Sequence, residues 1–151
     1  MLTIEPMTME HLDAVYAIET DSFSVPWTYE SLRDEILKNK MAYYFVAVEG
    51  GVVIGYAGMW HVINEGHITN IAVQEEHRGK GIGAALVNRL IAFAVEKEMI
   101  GLTLEVRFGN AAAQRLYFKH GFTIEGTRKN YYVDTKEDAL IMWKNLGPIQ
   151  Q

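Results

Sequence analysis

Arg78-Gly79-Lys80-Gly81-Ile82-Gly83 is the stretch that organises this chain. It follows an apolar, strand-like run ending at Val73 and opens a segment where Ile82, Leu86, Leu90 and Phe93 form one helical stripe. Glycines there let the backbone come close to a ligand. The first amides of a helix lack partners within it and carry the positive end of the helix dipole toward an anion. Arg78 and Lys80 add formal charge. The same residues also suit a tight surface turn, so the segment alone leaves both readings open. Two nucleotide signatures fail here. A P-loop needs lysine then serine or threonine at its end, and Ala84-Ala85 follow the last glycine instead. A dinucleotide fingerprint spaces its glycines Gly-x-Gly-x-x-Gly in a parallel βαβ unit. This turn reads Gly-x-Gly-x-Gly and stands behind three strands that look antiparallel.

Working back from the turn, His67–Val73 reads as a strand, Asn64-Glu65-Gly66 as a turn, and Val52–Val62 as a second strand. Gly50-Gly51 marks a hairpin to a strand over Ala42–Val48. Thr28 starts a helix over Tyr29–Leu37, Pro26-Trp27 breaks the chain, and Thr8 caps a helix carrying Leu12, Val15 and Ile18. Leu2–Glu5 reads as an edge strand. Working forward, the helix behind the turn runs to Glu98. Leu102–Arg107 is a strand with Leu102, Leu104 and Val106 on one face, and Asn110 caps a helix ending at Gly121. Phe122–Lys129 and Ala139–Lys144 are the last strands. The expected class is α/β (α+β), a mixed, mostly antiparallel central sheet flanked by helices in one domain over residues 1–151.

Composition narrows the function. The chain has no cysteine, which excludes disulfides, thiolate metal sites and a cysteine acyl-enzyme. No apolar run approaches the ~20 residues of a membrane span, and the N-terminus lacks the pattern of a secretory signal, so a cytoplasmic location is expected. The overall net charge of −5 argues against a nucleic-acid binder. Residues 1–76 carry a net of −9 and residues 77–130 a net of +5. A basic middle suits an anionic ligand, and an acidic front a cationic one, although chance and surface solubility account for the same distribution and are favoured on this fact alone. The five histidines, His11, His61, His67, His77 and His120, show no ligand spacing, so no metal is expected and each reads as a surface or half-buried side chain.

The motif Arg78-x-x-Gly81-x-Gly83, behind Ile71-Ala72-Val73, resembles the pyrophosphate-binding motif of the GNAT superfamily of N-acetyltransferases. The inferred element order matches that fold along nearly the whole chain. Leu104-Glu105-Val106-Arg107, Asn110-Ala111-Ala112-Ala113, Leu116-Tyr117, Gly121-Phe122 and Asn130-Tyr131-Tyr132 are similar to its RimI branch, which acetylates the N-termini of ribosomal proteins. Glu75 departs from the proline often found before the turn and is expected to loosen the loop.

The resemblance implies acetyl-CoA as cosubstrate, held by Ile71, Ala72, Val73, Arg78, Gly79, Lys80, Gly81, Ile82, Gly83, Ala84, Asn110 and Tyr117. It places a general base at Glu105 and a proton donor at Tyr117. A carboxylate in an interior strand is costly unless paired or used. The plain alternative for Glu105 is an ion pair with Arg107 or Lys119, and the catalytic reading expects burial to raise its pKa. Asn110 is a good N-cap whatever else it does, and Tyr117 suits a core tyrosine equally. Pro26, Trp27, Tyr131 and Tyr132 are the implied walls for the acceptor, with ordinary partial burial as their plain alternative. The expected reaction is direct acetyl transfer to the α-amine of a ribosomal protein, with N-terminal alanine the expected residue. A lysine or small-amine acetyltransferase, or a silent acetyl-CoA-binding module, are the alternatives. Oligomeric state is not legible in the sequence.

Overall fold

The hairpin signals set the sheet. In the computed structural model, which describes residues 1–147, β2 (Ala42–Glu49) and β3 (Val52–Val62) are joined by Gly50 and Gly51, at φ 59° and 79°. Both angles suit glycine, because a Cβ disfavours the left-handed region. β3 pairs antiparallel with β4 (Glu65–Val73). The turn between them is Ile63-Asn64, one step earlier than the glycine suggested, because Val62 already pairs with Glu65. Ile63 sits at φ 57° and is almost fully exposed. The edge is β1 (Leu2–Pro6), antiparallel to β2. Beyond β4 come β5 (Gly101–Arg107), β7 (Ala139–Asn145) and β6 (Thr123–Arg128), giving the order β1-β2-β3-β4-β5-β7-β6.

Helices cover both faces. On one, α3 (Ile82–Glu96) lays Ile82, Leu86, Leu90 and Phe93 on Phe45, Ile54, Met59, Leu102 and Leu104. α4 (Ala111–Lys119) adds Tyr117 to the same core. On the other, α1 (Leu12–Ser22) and α2 (Tyr29–Leu37) pack Leu12, Val15, Ile18 and Leu32 on Tyr44, Val46, Val53 and Tyr56. Each such side chain removed from water contributes about 1.5–3 kcal/mol. Thr28 caps α2 by accepting from Ser31 N–H, as the sequence predicts. At Thr8 a 3-10 turn over Met9–His11 precedes α1. α3 stops at Glu96 rather than Glu98, because Glu98 turns left-handed at φ 58° and Met99 N–H doubles back to Ala94 O. The loop before α3 is also tighter than expected from Glu75. Glu75–His77 forms a 3-10 turn, with His77 N–H on Gln74 O and Arg78 N–H on Glu75 O.

One carboxylate ties the α1 face together. Glu19 is 1% exposed. It accepts from Tyr56 Oη, from Asn70 Nδ2 at 3.2 Å and from Trp27 N–H at 2.9 Å. Glu19→Ala strands these buried donors. It is expected to cost about 3 kcal/mol or more, with Glu19→Gln costing less because it keeps an acceptor. Urea unfolding of both variants checks this. A Glu19→Ala midpoint equal to wild type would contradict it.

Candidate active site

β4 and β5 run parallel, but they pair only from Glu65↔Gly101 to His67↔Thr103. Beyond His67 the strands part. A bulge at Thr69 shifts the β3–β4 register there, between the pairs Met59↔Ile68 and Gly58↔Asn70. Gln74 N–H donates to Ile54 O on β3. By the alternation of an antiparallel ladder, the N–H and C=O groups of Ile71 and Val73 therefore face away from β3, into the opening toward β5. Their side chains pack on the α3 core, while Ala72 is buried on the α1 side. Asn70 Oδ1, buried beside the opening, has no partner among the described residues.

The glycine turn lies beyond the end of β4. Gly79 and Gly81 adopt φ 77° and 82°, with nothing within 4 Å of a Cβ built on either. Gly81 is the N-cap of α3, and the first helical hydrogen bond is Ala85 N–H to Gly81 O. The amides of Ile82, Gly83 and Ala84 precede that bond, so they are free to take an anion. Lys80 is exposed at the same turn. Arg78 folds back instead, its Nε donating to Val73 O at 3.0 Å. A Cβ built on Gly83 would meet Leu116 of α4 at 3.5 Å, so the start of α3 sits against α4.

Glu105 projects from β5 on the face opposite Leu102, Leu104 and Val106. Its side chain is 14% exposed. The partners differ from those expected. His67 Nε2 lies 3.0 Å from Oε1 and Arg128 Nε 3.6 Å from Oε2, whereas Arg107 is engaged elsewhere. The direction of its pKa also differs. The hydrogen bond from His67 lowers it below the ordinary 4.5, outweighing the opposing effect of burial, with His67 and Arg128 charges adding to the lowering. Glu105 is thus ionised at neutral pH. The stability drawn from these contacts is full above the ordinary glutamate range and is lost as pH falls through the depressed value.

Asn110 caps α4, its Oδ1 accepting from Ala113 N–H at 3.1 Å. Two turns on, Tyr117 is buried, edge-to-face with Phe122 at 5.6 Å. Burial pushes its phenol up, and Tyr132 adds to this, so it stays protonated. Tyr117 packs with the α3 face of the sheet, while Glu105 is on the α1 face.

The segments expected to wall the acceptor hang from their own contacts. Trp27 packs on the α1 core and is held through its N–H by Glu19; Pro26 beside it is half-buried. Tyr131 is exposed and meets Tyr132 edge-to-face at 5.1 Å. Arg107 stacks 4.0 Å over the Tyr132 ring and makes a bidentate pair with Asp134, at 2.9 and 3.0 Å. Burial pushes Tyr132 up to about 12. Asp134 also accepts from Ser24 Oγ. The Ser24 and Asp134 segments are therefore bridged, which links the two expected walls through their flanks.

The Acetyltransferase (GNAT) family matches residues 12–122. This chain is a GNAT acetyltransferase. A Bacillus subtilis (strain 168) protein with the provisional name ribosomal protein bS18-alanine N-acetyltransferase is 45% identical over 144 residues, 95% of each chain. The Escherichia coli (strain K12) protein named ribosomal protein bS18-alanine N-acetyltransferase is 35% identical, over 94% of this chain and 96% of its own. The crystal structure of the ribosomal-protein-S18-alanine N-acetyltransferase from Escherichia coli superposes with a TM-score of 0.91 at 31% identity, covering 100% of this chain and 97% of that one. As a GNAT enzyme, the protein takes its acetyl group from acetyl-CoA. The free amides at the start of α3 and the unpaired edge of β4 fit that donor's phosphates and its amide-bearing arm. The GNAT resemblance was carried by sequence motifs that include neither His67 nor Arg128. The signal for His67 is its register on β4, level with Thr103 and so one same-face step from Glu105.

Replacing Gly81 with valine puts a branched side chain in front of the free amides and strains a residue at φ 82°. Open space around the site lets the fold survive. Acetyl-CoA affinity is expected to fall at least about tenfold, or 1.4 kcal/mol. Calorimetric titration of the folded variant checks this, and unchanged affinity would remove the phosphate assignment.

Proposed function

We propose that this acetyltransferase modifies the α-amine at a protein N-terminus, with a ribosomal protein beginning in alanine as its natural substrate, in the cytoplasm. The bridge from Ser24 through Asp134 to Arg107 carries the reading. It ties the flanks of the Pro26-Trp27 and Tyr131-Tyr132 segments, so the space between them suits a chain end better than a side chain on a folded surface. The names of the similar proteins support both the ribosomal substrate and the alanine. No helix of the described residues is long and apolar enough to cross a membrane.

Bound acetyl-CoA supplies the acetyl group as a thioester. Glu105, ionised and held from two sides, takes a proton from the acceptor ammonium, directly or through water. Amides on the open edge of β4 near Ile71–Val73 orient the donor and polarise its carbonyl. The amine nitrogen bonds to the acetyl carbon as the carbon–sulfur bond breaks, Tyr117 protonates the departing thiolate, and the second proton shed by the nitrogen returns through water to Tyr117. With no cysteine in the chain, transfer is direct in a ternary complex. An α-amine suits this base, because its pKa of about 7.7–8.0 leaves more of it neutral near pH 7 than lysine at about 10.4.

Two peptides of one sequence test the reading, one with a free N-terminus and blocked lysine, the other reversed. The first is expected to be the better substrate, and Tyr131→Ala or Trp27→Ala to erode that preference. Glu105→Gln and Tyr117→Phe are each expected to lower turnover about 10²–10⁴-fold with acetyl-CoA affinity retained. Equal or faster acetylation of the lysine peptide would promote a lysine acceptor. Full turnover in both Glu105→Gln and Tyr117→Phe would remove the acid and base roles.

A further inference from the structure

His67 belongs to no part of the family motif quoted above, yet it stands at the fork of the sheet. It is the last residue of β4 paired with β5, opposite Thr103. One residue further, the strands separate. A side chain at this point is anchored by backbone pairing on both sides, to Trp60 on β3 and Thr103 on β5, and still faces the opening.

Its ring is held as firmly as its backbone. Trp60 packs against it edge-to-face, centroids 6.4 Å apart and planes at 80°. Trp60 Nε1 in turn donates to Glu35 Oε1 at 2.6 Å. Glu35 is a buried hub on α2 that also accepts from Tyr44 Oη at 3.0 Å and from Asn39 Nδ2 at 2.9 Å. A chain of contacts therefore runs from α2 through Trp60 to the imidazole, and ends on Glu105 Oε1.

We propose that His67 is the positioning residue for Glu105: its Nε2–H donates to Oε1, fixes the rotamer of the carboxylate, and leaves Oε2 to meet the acceptor amine. Oε2 is the freer oxygen, since Arg128 Nε stands 3.6 Å away on a side chain that is 55% exposed. The groups that face the pair are the Trp60 ring from β3, Arg128 from β6, and Tyr132, which lies near enough to feel the Glu105 charge. Burial keeps Tyr132 neutral across the working pH range. His67 is thus the partner whose loss most changes the carboxylate. A carboxylate released from its donor swings between rotamers, and small misplacements of a reacting group cost up to about 10²-fold in rate.

This rests on the base role proposed for Glu105, and the experiment separates the two. His67→Leu removes the donor, and His67→Gln keeps one. The Glu105 carboxyl is titrated by carbon-13 NMR in the free protein, without either substrate, and kcat is measured against pH. In His67→Leu, the Glu105 midpoint is expected to move up, kcat to fall roughly ten- to hundredfold, and KM for acetyl-CoA to stay unchanged. In His67→Gln, both the midpoint and most of kcat are expected to return. A His67→Leu enzyme with wild-type kcat overturns the positioning role, whatever its titration shows. Equal loss of kcat in both folded variants with no movement of the Glu105 midpoint also overturns it. Full rate in Glu105→Gln overturns the base role instead, and the titration still reads the contact between the two residues.

Discussion

Parallel pairing between β4 and β5 ends at His67–Thr103, and the strands then diverge. A break inside a sheet leaves backbone donors and acceptors without partners, and burying them unpaired costs free energy. Several features keep the opening from closing. The bulge at Thr69 shifts the β3–β4 register just past the last pair with β5. Arg78 satisfies Val73 O from the glycine turn. The start of α3 packs against α4 through Gly83 and Leu116. The opening joins the two faces of the sheet, which explains why Tyr117 and Glu105 belong to opposite ones. In the proposed reading, a donor held by α3 and α4 and an acceptor arriving from the α1 face meet where the sheet is open.

The electrostatics follow the same division. At the glycine turn the positive end of α3, its free amides and Lys80 suit the anion site proposed there. On the other face Glu105 stays ionised because His67 and Arg128 outweigh the effect of burial. In the base role proposed for it, a carboxylate with a depressed pKa is a weak base, so it gains from an acceptor that gives up its proton readily. An α-amine meets that requirement more easily than a lysine side chain. The wall segments also depend on charge. Asp134, held near 2 first by its hydrogen bond from Arg107 and then by Ser24, fastens one segment to the other.

Much of this was legible in the chain itself. Gly50-Gly51, Thr28 and Asn110 marked their turns and caps by local chemistry that needs no tertiary contact, and the elements beside them fall where expected. The stripe of Ile82, Leu86, Leu90 and Phe93 gave the face of α3 by periodicity alone. What escaped reading depends on pairing between distant strands. The turn at Ile63-Asn64 is set by β3–β4 register, which an isoleucine with positive φ does not advertise. The ion-pair partners that the sequence offers for Glu105, Arg107 and Lys119, are not the ones it meets. On a strand, Arg107 is one same-face step away and is drawn off by Asp134 and Glu137. His67 and Arg128 come from the strands that flank it in space.

The acidic front of the chain shows how a composition argument changes once the fold is known. A net charge of −9 over residues 1–76 reads as a field that attracts a cationic amine. Two of those carboxylates, Glu19 and Glu35, are buried and each accepts from three donors. They contribute little to a surface field, because their partners are fixed inside the protein. Their effect is mechanical. Glu19 ties the backbone of Trp27 to β3 and β4, and Glu35 ties Trp60, and with it the His67 ring, to α2. Both hubs sit on the α1–α2 layer; one ends on Trp27, an expected acceptor wall, and the other on His67 at the fork of the sheet. On the proposed acceptor the acidic front would therefore act through two routes. Its exposed carboxylates would act at a distance, subject to screening by salt, and its buried ones through the fixed geometry of Trp27 and Trp60, which salt leaves in place.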